Sequence, residues 1–230
     1  MLTDLGDMQE AIKEQLGGKS YLKLNEQGSI FLVPGENLDQ GVLCGTNCFA
    51  IGVGPKRYLI DACKKDHEIF LNNLTTFCQE QNCSIGTVFI THAHYDHMDG
   101  AQNIVDLMVK LGHKAPKVHK FIDRNASEIM RYENNPGLEN NMVHTKEGDV
   151  FVLEDELNIG REVIKKIELH PINTPGHMSD HLCFLMKELR QKSDGTAEEK
   201  HSLFTGDHIV GASSTYFTDY PQYFDSLVKT

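Results

Sequence analysis

The chain has 230 residues, of which 33 are acidic and 22 are basic, so its formal net charge at pH 7 is −11. This acidity disfavours a dedicated duplex-DNA binder, whose affinity depends on neutralising phosphates, although it leaves room for a local basic groove. The sequence contains no run of 18 apolar residues, and its first 18 residues are acidic and lack an apolar core. We therefore expect no membrane span, no export signal and a poor match to a transit peptide.

The six cysteines are scattered without the spacing of a disulfide framework. In a chain without an export signal, this usage predicts free thiols in a reducing, intracellular compartment. The sequence shows no internal repeat and no low-complexity linker. We therefore expect a single domain over residues 1–230, with a helical extension at 1–18 and a core over about 28–230.

The chain begins with a pattern that predicts a surface helix over residues 3–16, ended by the glycine pair at 17–18. Residues 21–35 predict a β-hairpin that turns at Gln27 and Gly28. The other predicted strands are short and are expected at 47–53, 57–62, 86–90, 117–121, 149–153, 162–169, 181–187 and 202–205.

Two helices with apolar faces are predicted between these strands, over residues 65–81 and 101–112. Their core faces are formed by Phe70, Leu74, Phe77 and Cys78 in the first helix, and by Ala101, Ile104, Val105 and Met108 in the second. Residues 187–201 are mostly charged and predict an exposed hairpin loop. The order of elements, strands first and then alternating helices and strands, predicts a layered α/β domain.

The stretch THAHYDHMDG, residues 91–100, follows the apolar strand 86–90 directly. His92 and His94 alternate and therefore point the same way at the end of the strand, while Asp96 and His97 lie on the turn into the next helix. Imidazole and carboxylate groups are ligands that suit zinc or iron, and strand-end loops are where functional residues collect. A histidine-rich polar loop is the simpler alternative, but the density of ligand-type residues favours a metal site.

Two further segments have the context of the same site. NTPGHMSDH places His177 on a Pro-Gly turn after a strand, and SLFTGDHIVG places Asp207 at a strand end. Each is weak alone, because a lone histidine or a Gly-Asp turn is more often structural. Asp61, at the end of another strand, is a candidate for orienting a ligand histidine, and His181 is expected to support the site by a hydrogen bond.

These motifs resemble the metallo-β-lactamase fold: Asp61, H-x-H-x-D-H at 92–97, T-P-G-H at 174–177 and G-D at 206–207. The resemblance covers roughly residues 28–230 and implies an αββα four-layer sandwich with up to two zinc ions at one edge. The ligands that it implies are His92, His94 and His177 for the first metal, and Asp96, His97 and the bridging Asp207 for the second.

The resemblance also implies a mechanism, in which a hydroxide shared by the two metals attacks the substrate. Asp96 is the candidate catalytic residue, holding the second metal and orienting the nucleophile or accepting its proton. The sequence suggests no side-chain nucleophile, because no Ser or Cys lies beside a base in a recognisable elbow.

Residues 45–62, 174–181 and 206–227 are similar to a narrower subgroup, called beta-lactamase-like protein two. That similarity implies an endoribonuclease acting on single-stranded RNA, with a mitochondrial location, although a cytosolic one stays open. Hydroxyacylglutathione hydrolases share most of the motifs, so a small thioester is the alternative substrate. The sequence predicts no particular protein partner.

One basic island interrupts the acidic chain, comprising Lys110, Lys114, Lys117, Lys120 and Arg124. It is either a track for RNA phosphates, with Lys114, Lys117 and Lys120 as the contacts, or a solvated face of the kind that charge runs usually form. Tyr95, Tyr216 and Phe217 could equally stack on a base or line an acyl pocket.

Members of the family place one more ligand histidine on a P-x-H-G turn after the helix that begins here near Tyr220. This sequence has no histidine after His208 and ends at Thr230. We expect that it is a fragment lacking the C-terminal part of the fold. The alternatives are a weak second metal site completed by water, replacement of the ligand by His208, or a non-catalytic relative that keeps the fold for a structural or partner-binding role.

Overall fold

A computed structural model describes residues 14, 16–38, 45–123, 142–154, 157–159, 162–210 and 214–230. The helix predicted over residues 3–16 lies almost entirely outside these ranges, as does Arg124. The chain packs as two compact units. The first comprises Met1–Ile51, Pro55–Phe89 and His94–Val118, and the second comprises Gly52–Gly54, Ile90–Ala93 and His119–Thr230.

The sheet of the first unit has the strand order β1-β2-β3-β4-β5-β6. Its strands are β1 (Leu22–Lys23), β2 (Ile30–Pro34), β3 (Asn47–Ile51), β4 (Lys56–Ile60), β5 (Ser84–Ile90) and β6 (Lys117–Lys120). β1 to β4 pair antiparallel in succession, whereas β4 and β5 are parallel. The predicted hairpin is confirmed, and Asn25 stabilises its turn by accepting hydrogen bonds from the backbone N–H groups of Ser29 and Ile30.

Three helices accompany this sheet: α1 (Glu68–Glu80), α2 (Tyr95–Met98) and α3 (Ala101–Lys110). α1 buries Phe70, Leu74, Phe77 and Cys78, and α3 buries Ala101, Ile104, Val105 and Met108, so both predicted core faces are confirmed. α3 begins where the chain touches the segment after β4, since a Cβ on Gly100 would lie 2.1 Å from the Ala62 carbonyl oxygen. This close approach fixes the position of the histidine-rich loop that precedes α3.

The second unit contains a five-stranded antiparallel sheet with the order β12-β11-β10-β8 and with β9 also paired to β10. Its elements are β7 (Met142–His144), β8 (Phe151–Leu153), β9 (Leu157–Ile159), β10 (Glu162–Asn173), β11 (Leu182–Lys192), β12 (Ala197–Phe204), a 3-10 helix (Gly206–His208) and α4 (Tyr220–Lys229). β7 lies outside that sheet and continues beside the end of β6, where Thr145 N donates to Lys120 O at 2.9 Å.

The register of this sheet brings two distant loops to the same end. Asn173, the last residue of β10, pairs with Leu182, and Phe204, the last residue of β12, pairs with Phe184. The connection 174–181 and the segment after residue 204 therefore emerge side by side. His177 and Asp207 lie in these two segments.

The charged hairpin loop predicted over residues 187–201 is much shorter in the structure, although most of these residues are exposed. β11 continues to Lys192 and β12 begins at Ala197, so only residues 193–196 connect the two strands. Side chains along β11 alternate between buried and exposed, and the buried positions include Glu188 and Arg190, which form an ion pair. Their mutual ion pair within β11 offsets the burial of these two charges, which is why composition alone misrepresents the segment.

Within the described ranges, no helix is both long and apolar enough to cross a membrane.

Candidate metal centre

The first part of the centre is built where β5 ends. His92 is fully buried, and its Nδ1 lies 2.9 Å from the hydroxyl oxygen of Thr91. The backbone here is fixed by Leu182 N, which donates to Thr91 O at 2.8 Å. With Nδ1 engaged by Thr91, the Nε2 atom of His92 is the nitrogen that faces His177.

His177 is supplied by the turn that follows β10, in which Gly176 has φ +130°. Its Nδ1 donates to the carbonyl oxygen of Tyr216 at 2.5 Å. That bond places the proton on Nδ1, so the Nε2 of the neutral ring keeps a free electron pair for a metal. Asp207 lies in the 3-10 helix after β12, and its Oδ2 is 3.6 Å from His177 Nε2 and 3.8 Å from His92 Nε2.

The spacing of these atoms fits a tetrahedral zinc site. The Nε2 atoms of His92 and His177 are 3.3 Å apart. Two imidazole nitrogens that each lie about 2.05 Å from one tetrahedral zinc ion are separated by about 3.3 Å. His94, two residues further along the loop, completes the group, and one ligand atom from each of His92, His94, His177 and Asp207 lies within 4.8 Å of the others. This donor set could therefore hold a metal ion.

Asp61, Asp96 and His97 form a second cluster, within the first unit. His97 Nδ1 lies 2.7 Å from Asp61 Oδ2, and His97 Nε2 lies 3.3 Å from Asp96 Oδ2. Thr46 Oγ1 donates to the same Asp96 oxygen at 2.8 Å, and Asn37 Nδ2 donates in turn to Thr46 Oγ1 at 3.1 Å. The assignment of Asp96 and His97 to a second metal stays a prediction, as does the supporting role of Asp61.

The Asp96 carboxyl is held in its anionic form. Burial raises the pKa of Asp96, but the hydrogen bond and charge of His97, together with the hydroxyl of Thr46, outweigh it and bring the pKa to about 2. A buried carboxylate with so low a pKa is a strong point of attraction for a cation.

The two other histidines singled out in the sequence have different surroundings. His181 is buried, its Nδ1 lies 2.9 Å from Thr174 Oγ1, and its ring centroid is 5.1 Å from that of His92. His208 is also buried, but its ring packs edge-on against Tyr223 and its Nε2 lies 3.3 Å from Thr230 Oγ1. His208 is thus directed towards α4 and lies outside the four-residue metal group, which argues against its replacing a lost ligand.

The structure exposes only some of the lysines that were predicted to form a phosphate-binding track. Lys114 and Lys117 are exposed, but Lys120 is fully buried, with its Nζ 2.7 Å from Asp180 Oδ2. The prediction that Lys120 contacts substrate phosphate is therefore wrong, because its ammonium group is buried in an ion pair with Asp180. Lys110 ends α3, about 15 Å from the start of that ten-residue helix near the histidine-rich loop.

Sequence reasoning missed three threonines that contact the candidate site residues. Thr91 contacts His92, Thr46 contacts Asp96, and Thr174 contacts His181. Thr91 and Thr174 adjoin the two histidine motifs, so a search for hydroxyl residues beside ligand motifs could have found them. Thr46 is 50 residues from Asp96, and only the fold brings the two together.

The chain is mixed α/β, has two sheets, and places histidines and an aspartate together at strand ends. This is the architecture of the metallo-β-lactamase fold, so the predicted fold class is confirmed. Residues 79–182 match the family model described as the metallo-beta-lactamase superfamily. Over this segment the chain is similar to the metallo-beta-lactamase superfamily, and the curated relatives and solved structures described next agree with that similarity.

Two solved structures illustrate the shared fold. BJP-1, a subclass B3 metallo-beta-lactamase of Bradyrhizobium japonicum, superposes with a TM-score of 0.51 at 17% identity, over 91% of this chain and 72% of that one. SMB-1 bound to 2-mercaptoethanesulfonate gives a TM-score of 0.52 at 14% identity, over 91% of this chain and 73% of that one. At these identities the likeness concerns the fold alone.

Curated relatives are similar over most of this chain. A beta-lactamase-like protein 2 homolog of Drosophila melanogaster is 30% identical over 201 residues, which are 87% of this chain and 59% of that protein. An atrochrysone carboxyl ACP thioesterase of Aspergillus fumigatus is 28% identical over 197 residues, which are 86% of this chain and 50% of that protein. The chain thus spans about half the length of the curated relatives it matches.

Proposed function

We propose that this chain carries the active centre of a zinc-dependent hydrolase. The observation that carries the proposal is the 3.3 Å separation of His92 Nε2 and His177 Nε2, with the Asp207 carboxylate beside both. Zinc in such a centre acts as a Lewis acid and lowers the pKa of water towards ~7, which makes a nucleophile available at neutral pH. His94 is proposed as the third imidazole ligand of that ion.

The other roles in the proposed centre are assigned to Asp207, Asp96, His97 and Asp61. Asp207 is proposed to bridge to a second ion, with Asp96 and His97 as its other ligands. Asp96 already accepts a hydrogen bond from Thr46 and contacts His97, and this favours orienting the attacking water over storing its proton. Asp61 holds the His97 ring in the direction that this role requires.

Single-stranded RNA is the proposed substrate, with a mitochondrial or cytosolic location as part of the same proposal. The similarity of three segments to the beta-lactamase-like protein two subgroup supports it, as does the 30% identity to the Drosophila relative. Tyr216, whose carbonyl binds His177, has an exposed aromatic side chain that could stack on a base, and the neighbouring Phe217 is exposed although its ring also stacks on Tyr223. Lys114 and Lys117 are exposed cations that could bind phosphates.

The test is the cleavage of an end-labelled single-stranded oligoribonucleotide by the zinc-loaded protein. We expect cleavage by the natural sequence and none by His92→Ala or Asp207→Ala, with the fold retained by circular dichroism. Charge reversal in Lys114→Glu/Lys117→Glu should weaken RNA binding and flatten its dependence on salt. The matched control is Lys56→Glu/Lys65→Glu, which reverses two exposed lysines of the same unit. If both double variants weaken RNA binding equally, the basic island is a solvated face and not a phosphate-binding track.

Hydrolysis of a thioester is the second candidate, favoured by the 28% identity to the fungal ACP thioesterase. The same zinc-loaded protein should be assayed on a hydroxyacyl-glutathione thioester and on an acyl carrier protein thioester. Turnover of either thioester, without cleavage of RNA, would move the proposal to this class. Tight zinc binding without turnover of any of the three substrates would favour a non-catalytic relative.

A further inference from the structure

Lys120 is an unusual lysine, because its whole side chain is buried at the end of β6. Its ammonium group contacts three oxygens: Asp180 Oδ2 at 2.7 Å, Asp180 O at 2.9 Å and Phe121 O at 2.9 Å. An ammonium group has three donors, so these contacts use all of them. Two of the three acceptors belong to the same residue, Asp180.

Stability alone does not explain this arrangement. Removing two charges from water is costly, and a well-packed apolar pair of similar volume is often as stable as a buried ion pair or more so. The ion pair instead fixes a geometry, because one ammonium group holds both the side chain and the main-chain carbonyl of Asp180. The backbone at Asp180 is thereby fixed in orientation as well as in position.

Asp180 belongs to the eight-residue connection, 174–181, between β10 and β11. The same connection carries His177. Two hydrogen bonds within its turn are long, since Gly176 N to Met178 O is 3.3 Å and His181 N to Met178 O is 3.4 Å, whereas Thr174 N donates to His181 O at 3.0 Å and joins the two ends of the connection. The contacts from Lys120 to Asp180, at 2.7 and 2.9 Å, are shorter than either bond to Met178 O, so an anchor outside the connection holds its second half.

His177 itself is held on the other side by the carbonyl of Tyr216, at 2.5 Å from its Nδ1. The first half of the connection is also held by Thr218 N, which donates to Gly176 O at 2.7 Å, and by Ser226 Oγ, which donates to Pro175 O at 2.8 Å. The connection is therefore clamped on both sides of its turn: at residues 175–177 by these groups and Tyr216, and at Asp180 by Lys120. Both clamps lie within the second unit.

We infer that Lys120 is a positioning residue for the metal centre: through Asp180 it sets the shape of the 174–181 connection and thereby the placement of His177 Nε2. The inference rests on the proposed zinc centre. It assigns to Lys120 a task within the protein, in place of the phosphate contact that its sequence context suggested.

The test compares zinc affinity with stability in variants of the full chain. Lys120→Met leaves the Asp180 carboxylate buried without its cation and should lower the urea midpoint of the zinc-free protein. Lys120→Met/Asp180→Leu replaces the pair by apolar groups and should restore the midpoint. We nevertheless expect the double variant to bind zinc ~10–100-fold more weakly, as measured by competition with a chromogenic chelator. A purely structural role predicts that affinity returns together with stability.

The matched control is Glu188→Leu/Arg190→Met, which removes another buried ion pair of the same unit, on β11 and away from the 174–181 connection. It should leave zinc affinity unchanged whatever its effect on stability. If the apolar double variant at 120 and 180 does not fold, Asp180→Asn provides the test, because it removes the charge while the main-chain contact remains, and it should weaken zinc binding by a smaller factor.

The result that overturns the inference is a folded Lys120→Met/Asp180→Leu or Asp180→Asn protein with the zinc affinity of the natural sequence. Failure of the natural sequence to bind zinc at all would overturn the proposed centre and this inference with it. The two failures are therefore distinguishable in the same titration.

Discussion

Asp61 Oδ2 lies 2.7 Å from His97 Nδ1, and this contact leaves the opposite ring nitrogen of His97 directed at Asp96. Asp61 is almost completely buried and adopts φ +63°, a left-handed conformation that is unfavourable for most side chains. Its backbone is held there by the hydrogen bond from Asp61 N to Phe89 O, at 2.8 Å. Strained residues of this kind collect at functional sites, where the surrounding structure maintains them.

The first prediction concerns this contact. Asp61→Ala should weaken binding of the second zinc ion ~10–100-fold, because the His97 ring loses the acceptor that orients it. Asp61→Asn should weaken binding of the second zinc ion by a smaller factor, since Asn tolerates the left-handed backbone and keeps an oxygen acceptor. Stepwise zinc titration of the purified variants measures both effects.

A control for backbone strain is available at Asp66, which also has a positive φ, +54°, and whose side chain bonds to Asn103 on the surface. Asp66→Ala should affect stability but leave the zinc steps unchanged. If Asp61→Ala and Asp66→Ala titrate alike, the role given to Asp61 is wrong.

The second prediction concerns the turn beneath His177. A Cβ at position 176 would lie 2.3 Å from Tyr223 Cα and 2.4 Å from Tyr223 N, and the backbone has φ +130°. Gly176→Ala should therefore displace α4 and reduce the free energy of unfolding by more than about 1 kcal/mol, measured by urea denaturation. Gly195→Ala is the matched variant, because its φ is +84° but nothing lies within 4 Å of the added Cβ. An equal loss in the two variants would mean that backbone strain, and not the contact with α4, is responsible.

The third prediction concerns the start of α4, where the Asp219 side chain accepts a hydrogen bond from Gln222 N at 3.0 Å. The backbone and side-chain hydrogen bonds of Gln222 lower the pKa of Asp219 below its ordinary value. A carboxyl whose pKa is lower in the folded state stabilises the protein above its unfolded-state pKa, and this stabilisation is lost as the pH falls through the folded-state pKa. Asp219→Ala should accordingly lower the urea midpoint at neutral pH, and the difference from the natural sequence should shrink in acid.

Asn is as good an N-cap as Asp but does not titrate. Asp219→Asn should therefore keep most of the stability at neutral pH and show no change in its cap contribution between neutral and acidic pH. A deficit of Asp219→Ala that is equally large at both pH values would contradict the role of the charged cap.

Much of the fold could be predicted because short sequence patterns determine the local structure. The apolar faces of α1 and α3 repeat at helical spacing, and the hairpin turn contains the glycine on which its prediction depended, Gly28. The histidine motif at 92–97 was recognisable because its ligand residues are adjacent in the chain. In all of these cases, the physical cause of the structure lies within a few residues.

The predictions that failed depended on contacts that charge composition does not reveal. The segment 187–201 appeared to be a loop because of its charges, yet Glu188 and Arg190 are buried as a pair in a long hairpin. Lys120 appeared to be a surface cation because its partner Asp180 is 60 residues away. The charges in a sequence indicate that burying the segment would be unfavourable, but they do not identify the oppositely charged partner that makes burial possible.

The central claim is the zinc centre of His92, His94, His177 and Asp207, and its most direct test is a zinc titration of the metal-free full chain, with bound metal counted by elemental analysis after removal of free ions. We predict one tightly bound zinc ion per chain followed by one weaker step, with the tight step lost in His92→Ala and in His177→Ala while both variants remain folded. A natural chain that retains no zinc after the titration, or a His177→Ala variant that keeps the tight step, would contradict the claim.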